Sequence, residues 1–140
     1  MEAHIKDADR WLRQSEADIK SSEWCLEGGF FSQSCFLAQQ SAAKALRAYL
    51  YLKSEDTKET RSVVELLVRA ITYDETFKEH VENAGRIDLY YKTARFPDAI
   101  PGGIPSEVIS DRDAMEAIKV AGDIIKLVED NRKNYMPDTM

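Results

Sequence analysis

The chain has 140 residues, 44% of them apolar, and a formal net charge of −6. That supplies one compact core and falls short of two, and the charge excludes a general nucleic-acid coat, because only a local basic patch holds a phosphate against a repelling surface. The opening MEAHIKDADRW is acidic without a continuous apolar run, and no later stretch approaches the ~18 apolar residues of a membrane span, so a cytoplasmic protein without membrane contact is expected. Cys25 and Cys35 lie in apolar, helix-like runs with no second Cys pair and no histidine at metal spacing. They read as buried free thiols, with no metal and no cofactor.

From Ile5 to Glu27, the residues Ile5, Ala8, Trp11, Leu12, Ile19 and Leu26 return at helical spacing, and Gly28-Gly29 offers a stop where left-handed backbone costs little. Ser32 or Ser34 is expected to cap a second helix whose Cys35, Phe36, Ala38, Ala42, Ala43, Ala45, Leu46, Tyr49 and Leu50 form a broad apolar surface. Its alanines allow close neighbours, which makes it the expected central helix. The polar run KSEDTKET reads as a solvated loop with no functional weight. Val63, Val64, Leu67, Val68 and Ile71 predict a third helix.

Asp74 is placed to cap a fourth, with Phe77, Val81, Ala84, Ile87 or Leu89, and Tyr91 near one stripe and a kink expected at Gly85. Pro97 disfavours helical backbone at Phe96, and Pro101, Gly102, Gly103 and Pro105 keep the loop to Ser110 irregular. A loop of that length marks a functional or interface element. Ser110 or Asp111 then opens a last helix with the stripe Ala114, Ala117, Ile118, Ala121, Ile124, Ile125 and Val128. With no period-two pattern and no repeat, the expectation is an all-α, up-and-down antiparallel bundle of four to five helices over residues 1–134, followed by a frayed tail at 135–140.

Three segments share one resemblance: WLRQSEADI at Trp11–Ile19, SCFLAQQSAAKALRAYL at Ser34–Leu50, and LYYKTARFPDAIPGGIPSE at Leu89–Glu107. Together with the closing DAMEAIKVAGDIIKLV, they resemble the HEPN family, whose glutamine-alanine-lysine pattern is similar to QQSAAKALRA and whose Thr-Arg-aromatic-Pro-Asp signature is similar to TARFPDA. The resemblance implies a small helical bundle that pairs into a homodimer, occurs in nucleotide- and RNA-related systems, and often partners a minimal nucleotidyltransferase as a toxin–antitoxin pair. Catalytic members are metal-independent ribonucleases that use an arginine followed four to six residues later by a histidine. In that chemistry histidine moves the 2′-hydroxyl proton and arginine stabilises the charged phosphorane.

This chain departs from that motif. Its histidines are His4 and His80; no arginine precedes His4, and Tyr73, Asp74 and Glu75 hold the positions that would give the spacing to His80, with Arg69 the nearest upstream arginine. Ala43 precedes Lys44 where many members carry Glu, and Arg61-Ser62 stands where a histidine is common. No catalytic residue is therefore assigned, and the expectation leans away from an enzyme. The alternatives are an active ribonuclease with Arg95, Lys44 and Tyr91 as substitutes, and a purely structural dimerisation module.

The binding candidates are Gln40, Lys44, Arg47, Tyr91, Lys92 and Arg95. Gln40, Lys44, Arg47 and Tyr51 share one helix face at spacings of four, three and four, either as a polar ligand face or with Gln40 and Lys44 bonding neighbours and Tyr51 covering the bundle end. Tyr90, Tyr91, Lys92 and Arg95 arrive together at a helix end, where aromatic and cationic groups hold a phosphate or stack a base. Otherwise the tyrosines pack in the core and Arg95 pairs with a carboxylate such as Asp98. Arg95 leads the set, because a guanidinium engages phosphate through two bonds. His80, in a charged KEH context, reads as exposed, and Trp11 and Trp24 read as core packing or interface anchors.

Overall fold

The computed structural model describes residues 2–134, with side chains from His4 onward. Two long helices, α1 (Glu2–Glu27) and α2 (Phe31–Leu52), form an antiparallel hairpin. Gly29 takes φ +83°, and the turn closes with Gly29 N donating to Leu26 O (3.1 Å) and Phe30 N to Cys25 O (2.8 Å). These two bonds satisfy carbonyls that the helix end leaves open, and only glycine takes that backbone without strain.

The expected cap of α2 is corrected. The helix starts at Phe31 with Phe30 at its N-cap and no side-chain cap, and Ser32 and Ser34 lie buried inside the helix. The hairpin uses Ser34 differently: Ser34 Oγ donates to Ser22 O (2.8 Å) and Ser22 Oγ to Ser34 O (2.7 Å). Each hydroxyl is small enough for close helix approach, and each finds the carbonyl of the other residue, so neither buried polar group is orphaned.

Helix α2 is central. Ala38, Ala42, Ala45, Leu46 and Leu50 are fully buried, and Tyr49 packs on the Phe77 ring at 4.7 Å between centroids. Truncating one of these leucines to alanine costs about 2–5 kcal/mol, whereas an exposed pair such as Arg10–Asp7 contributes about 0–1 kcal/mol. The apolar face of α2 therefore holds the bundle.

The chain then runs back along α2 through residues 53–62, and α3 (Val63–Ile71) begins beside Gln39. After the 3-10 turn Glu75–His80, opened by Asp74 accepting from Thr76 N (3.0 Å), come α4 (Val81–Asp88) and the single turn α5 (Tyr90–Thr93). The expected fourth helix is thus divided, but not at Gly85. Its interruption lies at Leu89, which keeps helical angles and is 66% exposed, while Gly85 sits inside α4. Leu89 therefore leaves the proposed stripe, and Phe77, Ala84 and Ile87 stay in it, buried.

Phe96 is extended (φ −120°, ψ 122°), as its following proline requires. The loop beyond it contains a 3-10 turn, Pro97–Ala99, and α6 (Pro105–Val108), and Ile109 drops into the core. Helix α7 (Asp111–Arg132) opens with a full capping box: Ser110 Oγ accepts from Asp113 N and Asp113 accepts from Ser110 N. Among the described residues there is no strand, and no helix is long and apolar enough to cross a membrane.

One carboxylate organises the half of the bundle that follows α2. Asp88 accepts from Val63 N (2.8 Å), Val64 N (3.0 Å), Ser62 Oγ (2.8 Å) and the Gln39 amide (3.1 Å). A negative charge on two open N–H groups of α3 favours both the helix dipole and the unmade donors. We expect Asp88→Ala to lower unfolding stability by about 2–3 kcal/mol, because charge-assisted bonds are lost and buried Gln39 is left short of a partner; urea denaturation measures this, and a change below about 0.5 kcal/mol, the scale of ordinary surface substitutions, would contradict it.

Elsewhere in the bundle, Glu129 of α7 meets Glu16 of α1. A shared hydrogen bond with Glu16, then burial, push the Glu129 carboxyl from 4.5 up to about 7. The folded protein thus keeps a proton that the unfolded chain releases, and stability falls as pH rises from about 4.5 to about 7. Glu129→Gln removes that dependence: its melting temperature should exceed the parent's at pH 8 and converge with it near pH 4. An equal offset at both pH values would refute the assignment.

Candidate functional site

The outer face of α2 sets Phe36, Gln40, Ala43, Lys44 and Arg47 along one wall of a cleft of about 480 Å³. Trp11 of α1 flanks that wall, Lys58 and Arg61 arrive from the 53–62 segment, and Tyr91 and Arg95 close the far side. Of the six residues expected to bind a phosphate, Gln40, Lys44, Arg47, Tyr91 and Arg95 therefore meet in one place. Lys92 does not: it turns to a separate surface hollow with Phe96, Asp98 and Ala99.

Arg95 is exposed and has no carboxylate partner among the described residues, so the ion pair considered with Asp98 is replaced by another arrangement. Its Cζ lies 4.4 Å from the Phe36 ring centroid, 4.6 Å from Tyr91 and 4.7 Å from Phe96. Nε donates to Tyr91 O at 2.7 Å. Three rings and one carbonyl fix the guanidinium while leaving its charge unanswered.

Arg61 donates from Nη1 to Tyr91 Oη at 2.9 Å, with its Cζ 6.0 Å from that ring. Burial works to raise the Tyr91 phenol, but the Arg61 hydrogen bond and the charges of Arg61 and Arg95 outweigh it, and the pKa falls below the ordinary tyrosine value. Tyr90 has the other fate named for these tyrosines: it packs against the core, and burial raises its pKa.

Two of the expected ligand cations are occupied by the fold. Lys44 Nζ lies 2.6 Å from Asp18 Oδ2, and Asp18 also accepts from the Gln14 amide. Arg47 donates to Thr57 O at 2.9 Å and to Thr60 O, and packs over Trp11 at 5.4 Å. Burial pulls the Arg47 pKa below its usual value. Tyr51, on the same helix face, stacks against Trp11 and stands outside the cleft lining. Gln40 donates to Gln39 Oε1 at 2.9 Å, which connects the cleft wall to Asp88 through the Gln39 amide.

The 53–62 segment is more than a solvated loop. Thr57 and Thr60 are buried, Arg69 bonds Glu55 (2.9 Å) and the Asp56 carbonyl (2.8 Å), and Lys58 and Arg61 face the cleft. Sequence reading missed these two cations because they sit in a charged run whose composition is that of a surface loop. It also missed Phe36, assigned to the apolar core surface, and Trp11, which is half-buried in the cleft wall. Trp24 is 76% exposed and is not core. His80 is largely covered, with 14% of its side chain exposed 3.4 Å from Glu79, and lies away from the cleft, where no histidine appears. Both cysteines are free; Cys35 is buried, its thiol pushed up to about 12 by burial, and Cys25 is only half-buried.

An all-helical hairpin-centred bundle with a cationic, aromatic-walled cleft defines the class, and the family comparison agrees with it. The HEPN domain model matches residues 8–131, and the chain belongs to the HEPN family. Its solved relatives include TT1696 from Thermus thermophilus, with 29% identity, TM-score 0.84, and coverage of 89% of this chain and 97% of that one. ST0689, an archaeal HEPN homologue, has 28% identity and TM-score 0.76 over 91% and 98% of the two chains. Among curated proteins, "Putative toxin MJ1304" of Methanocaldococcus jannaschii is 24% identical over 137 residues, 91% of this chain and 89% of the relative.

Because Arg47 answers two carbonyls of the 53–62 segment, its removal should release that segment. We expect Arg47→Ala to cost about 2 kcal/mol of stability and to accelerate amide hydrogen exchange at residues 57–61 while α1 and α7 keep their protection. Unchanged exchange in the segment would show that Arg47 is not its anchor.

Proposed function

We propose that this HEPN protein is of the toxin–antitoxin type, acts as a homodimer, and holds a nucleotide or RNA phosphate in the basic cleft while partnering a minimal nucleotidyltransferase. The observation that supports this reading is the charge of the cleft. Five cations line it in a protein of net charge −6, and only Lys44 is answered by a carboxylate among the described residues. Such a concentration favours an anion strongly enough to oppose the overall repulsion. The name carried by the archaeal relative supports the toxin–antitoxin setting.

The reading is of a binding role without ribonuclease chemistry. A ribose 2′-hydroxyl needs a proton acceptor near neutral pH, and no histidine lines the cleft. Of the substitutes considered, Lys44 is paired with Asp18, and the Tyr91 hydroxyl accepts a hydrogen bond from Arg61 Nη1.

Phosphate ligands that bind only the folded state raise its melting temperature. Uridine 5′-monophosphate at millimolar concentration should do so for the parent chain and much less for Arg95→Ala, while metal-free protein leaves mixed-sequence RNA intact. RNA cleavage that disappears in Arg95→Ala would overturn the non-catalytic reading. Sedimentation at a monomer mass across micromolar concentrations would overturn the homodimer.

A further inference from the structure

We propose that the cleft is built for a dianionic phosphate monoester, the terminal phosphate of a nucleotide or of a 5′-phosphorylated chain, in preference to an internal phosphodiester. The inference rests on the phosphate-binding reading above and narrows it to one ligand class.

The argument begins with which cations remain available. Arg47 is engaged by two carbonyls and Lys44 by Asp18, which leaves Lys58, Arg61 and Arg95. None of these three pairs with a carboxylate among the described residues. Arg61 and Arg95 are held against the same ring, that of Tyr91, with guanidinium carbons 6.0 and 4.6 Å from its centroid. Each has one nitrogen tethered, Nη1 of Arg61 on the Tyr91 hydroxyl and Nε of Arg95 on the Tyr91 carbonyl. Both forks therefore keep N–H groups that no carboxylate takes up among the described residues.

Two guanidiniums held against one aromatic ring repel each other, and the hydroxyl and the carbonyl that tether them relieve that repulsion only in part. An anion between them restores the balance, and it does so in proportion to its charge. A phosphodiester carries one negative charge, whereas a monoester carries about −1.5 to −2 at pH 7 and offers three terminal oxygens. Two guanidinium forks and the Lys58 ammonium match three such oxygens better than the two free oxygens of a diester. Phe36, Tyr91 and Trp11 give apolar walls for the group that the phosphate carries.

The ligand supplies the pH signature. A monoester has its second pKa at about 6, whereas arginine and lysine keep their charge throughout the range from about pH 5 to about pH 7.5. The other charged groups facing the cleft are the Lys44–Asp18 pair and Arg47, and no histidine is present to titrate in that interval. The preference should therefore follow ionisation of the ligand.

Calorimetric titration of the full chain with uridine 5′-monophosphate, with the dinucleoside monophosphate UpU lacking terminal phosphates, and with inorganic phosphate tests this. At about pH 7.5 the monophosphate should bind at least about tenfold more tightly than UpU, and the ratio should shrink towards one near pH 5 as the second ionisation, with its pKa of about 6, is reversed. Inorganic phosphate should show the same pH trend with weaker binding. Arg61→Gln and Arg95→Gln should each abolish most of the preference. Lys58→Ala should do the same, and because that side chain is exposed, the substitution separates lost binding from lost folding. Tyr91→Phe should keep the pH profile, because the profile belongs to the ligand. Equal or tighter binding of UpU, still weakened by Arg95→Gln, would overturn the monoester preference and leave the cleft as a general phosphate site. Failure of all three probes to bind at millimolar concentration would overturn both readings.

Discussion

The carboxylate of Asp88 collects two backbone N–H groups of α3, the Ser62 hydroxyl and the Gln39 amide, and the geometry of the cleft depends on that convergence. Arg61 directly precedes the residues that Asp88 binds, and Tyr91 follows Asp88 within a single helical turn. One anion therefore places two segments, far apart in the chain, against the same stretch of α2. The Gln39 amide extends the arrangement, since it also donates to the Arg61 carbonyl and its own oxygen accepts from Gln40. Helix α2 supplies the rigid support for all of this, because its apolar face is what neighbouring helices bury.

The cleft divides cations into two kinds by what answers them. Lys44 and Arg47 are spent within the fold, one on Asp18 and one on the 53–62 carbonyls, and their task is to position helix α1 and that segment. Arg61 and Arg95 are braced by aromatic rings and single hydrogen bonds, which orient a charge without neutralising it. That difference is what the proposed anion site in a protein of acidic balance rests on.

Much of the fold was legible because its signals are local. Helical spacing of apolar residues placed α1, α2, α3 and α7, the Gly28-Gly29 stop became a left-handed turn, and Ser110 became the cap of α7. The family resemblance placed Arg95 and the Gln40–Arg47 face, and those positions do share a cleft. What escaped sequence reading depends on distant contacts. Ser34 looked like a cap, yet its hydroxyl is satisfied across the hairpin by Ser22. Lys58 and Arg61 looked like solvated charges, and their orientation follows from Arg47 and Asp88, which lie ten or more residues away in the chain. Lys92 was grouped with Arg95 by proximity in sequence, but α5 ends at Thr93, so Arg95 turns back onto Tyr91 while Lys92 faces another surface.

The central claim is that a phosphate enters between the 58–61 and 91–95 segments on the α2 face. Two-dimensional nitrogen–proton NMR of the labelled chain, titrated with inorganic phosphate and observing both backbone amides and arginine Nε–H groups, addresses it directly. The account predicts progressive shifts at Lys58, Arg61, Tyr91 and Arg95 and along residues 36–47, while a separate hollow between α4 and α7, lined by Asn83 and Lys119 among others, stays unmoved. Shifts confined to that other surface, or the absence of shifts in the cleft, would contradict it.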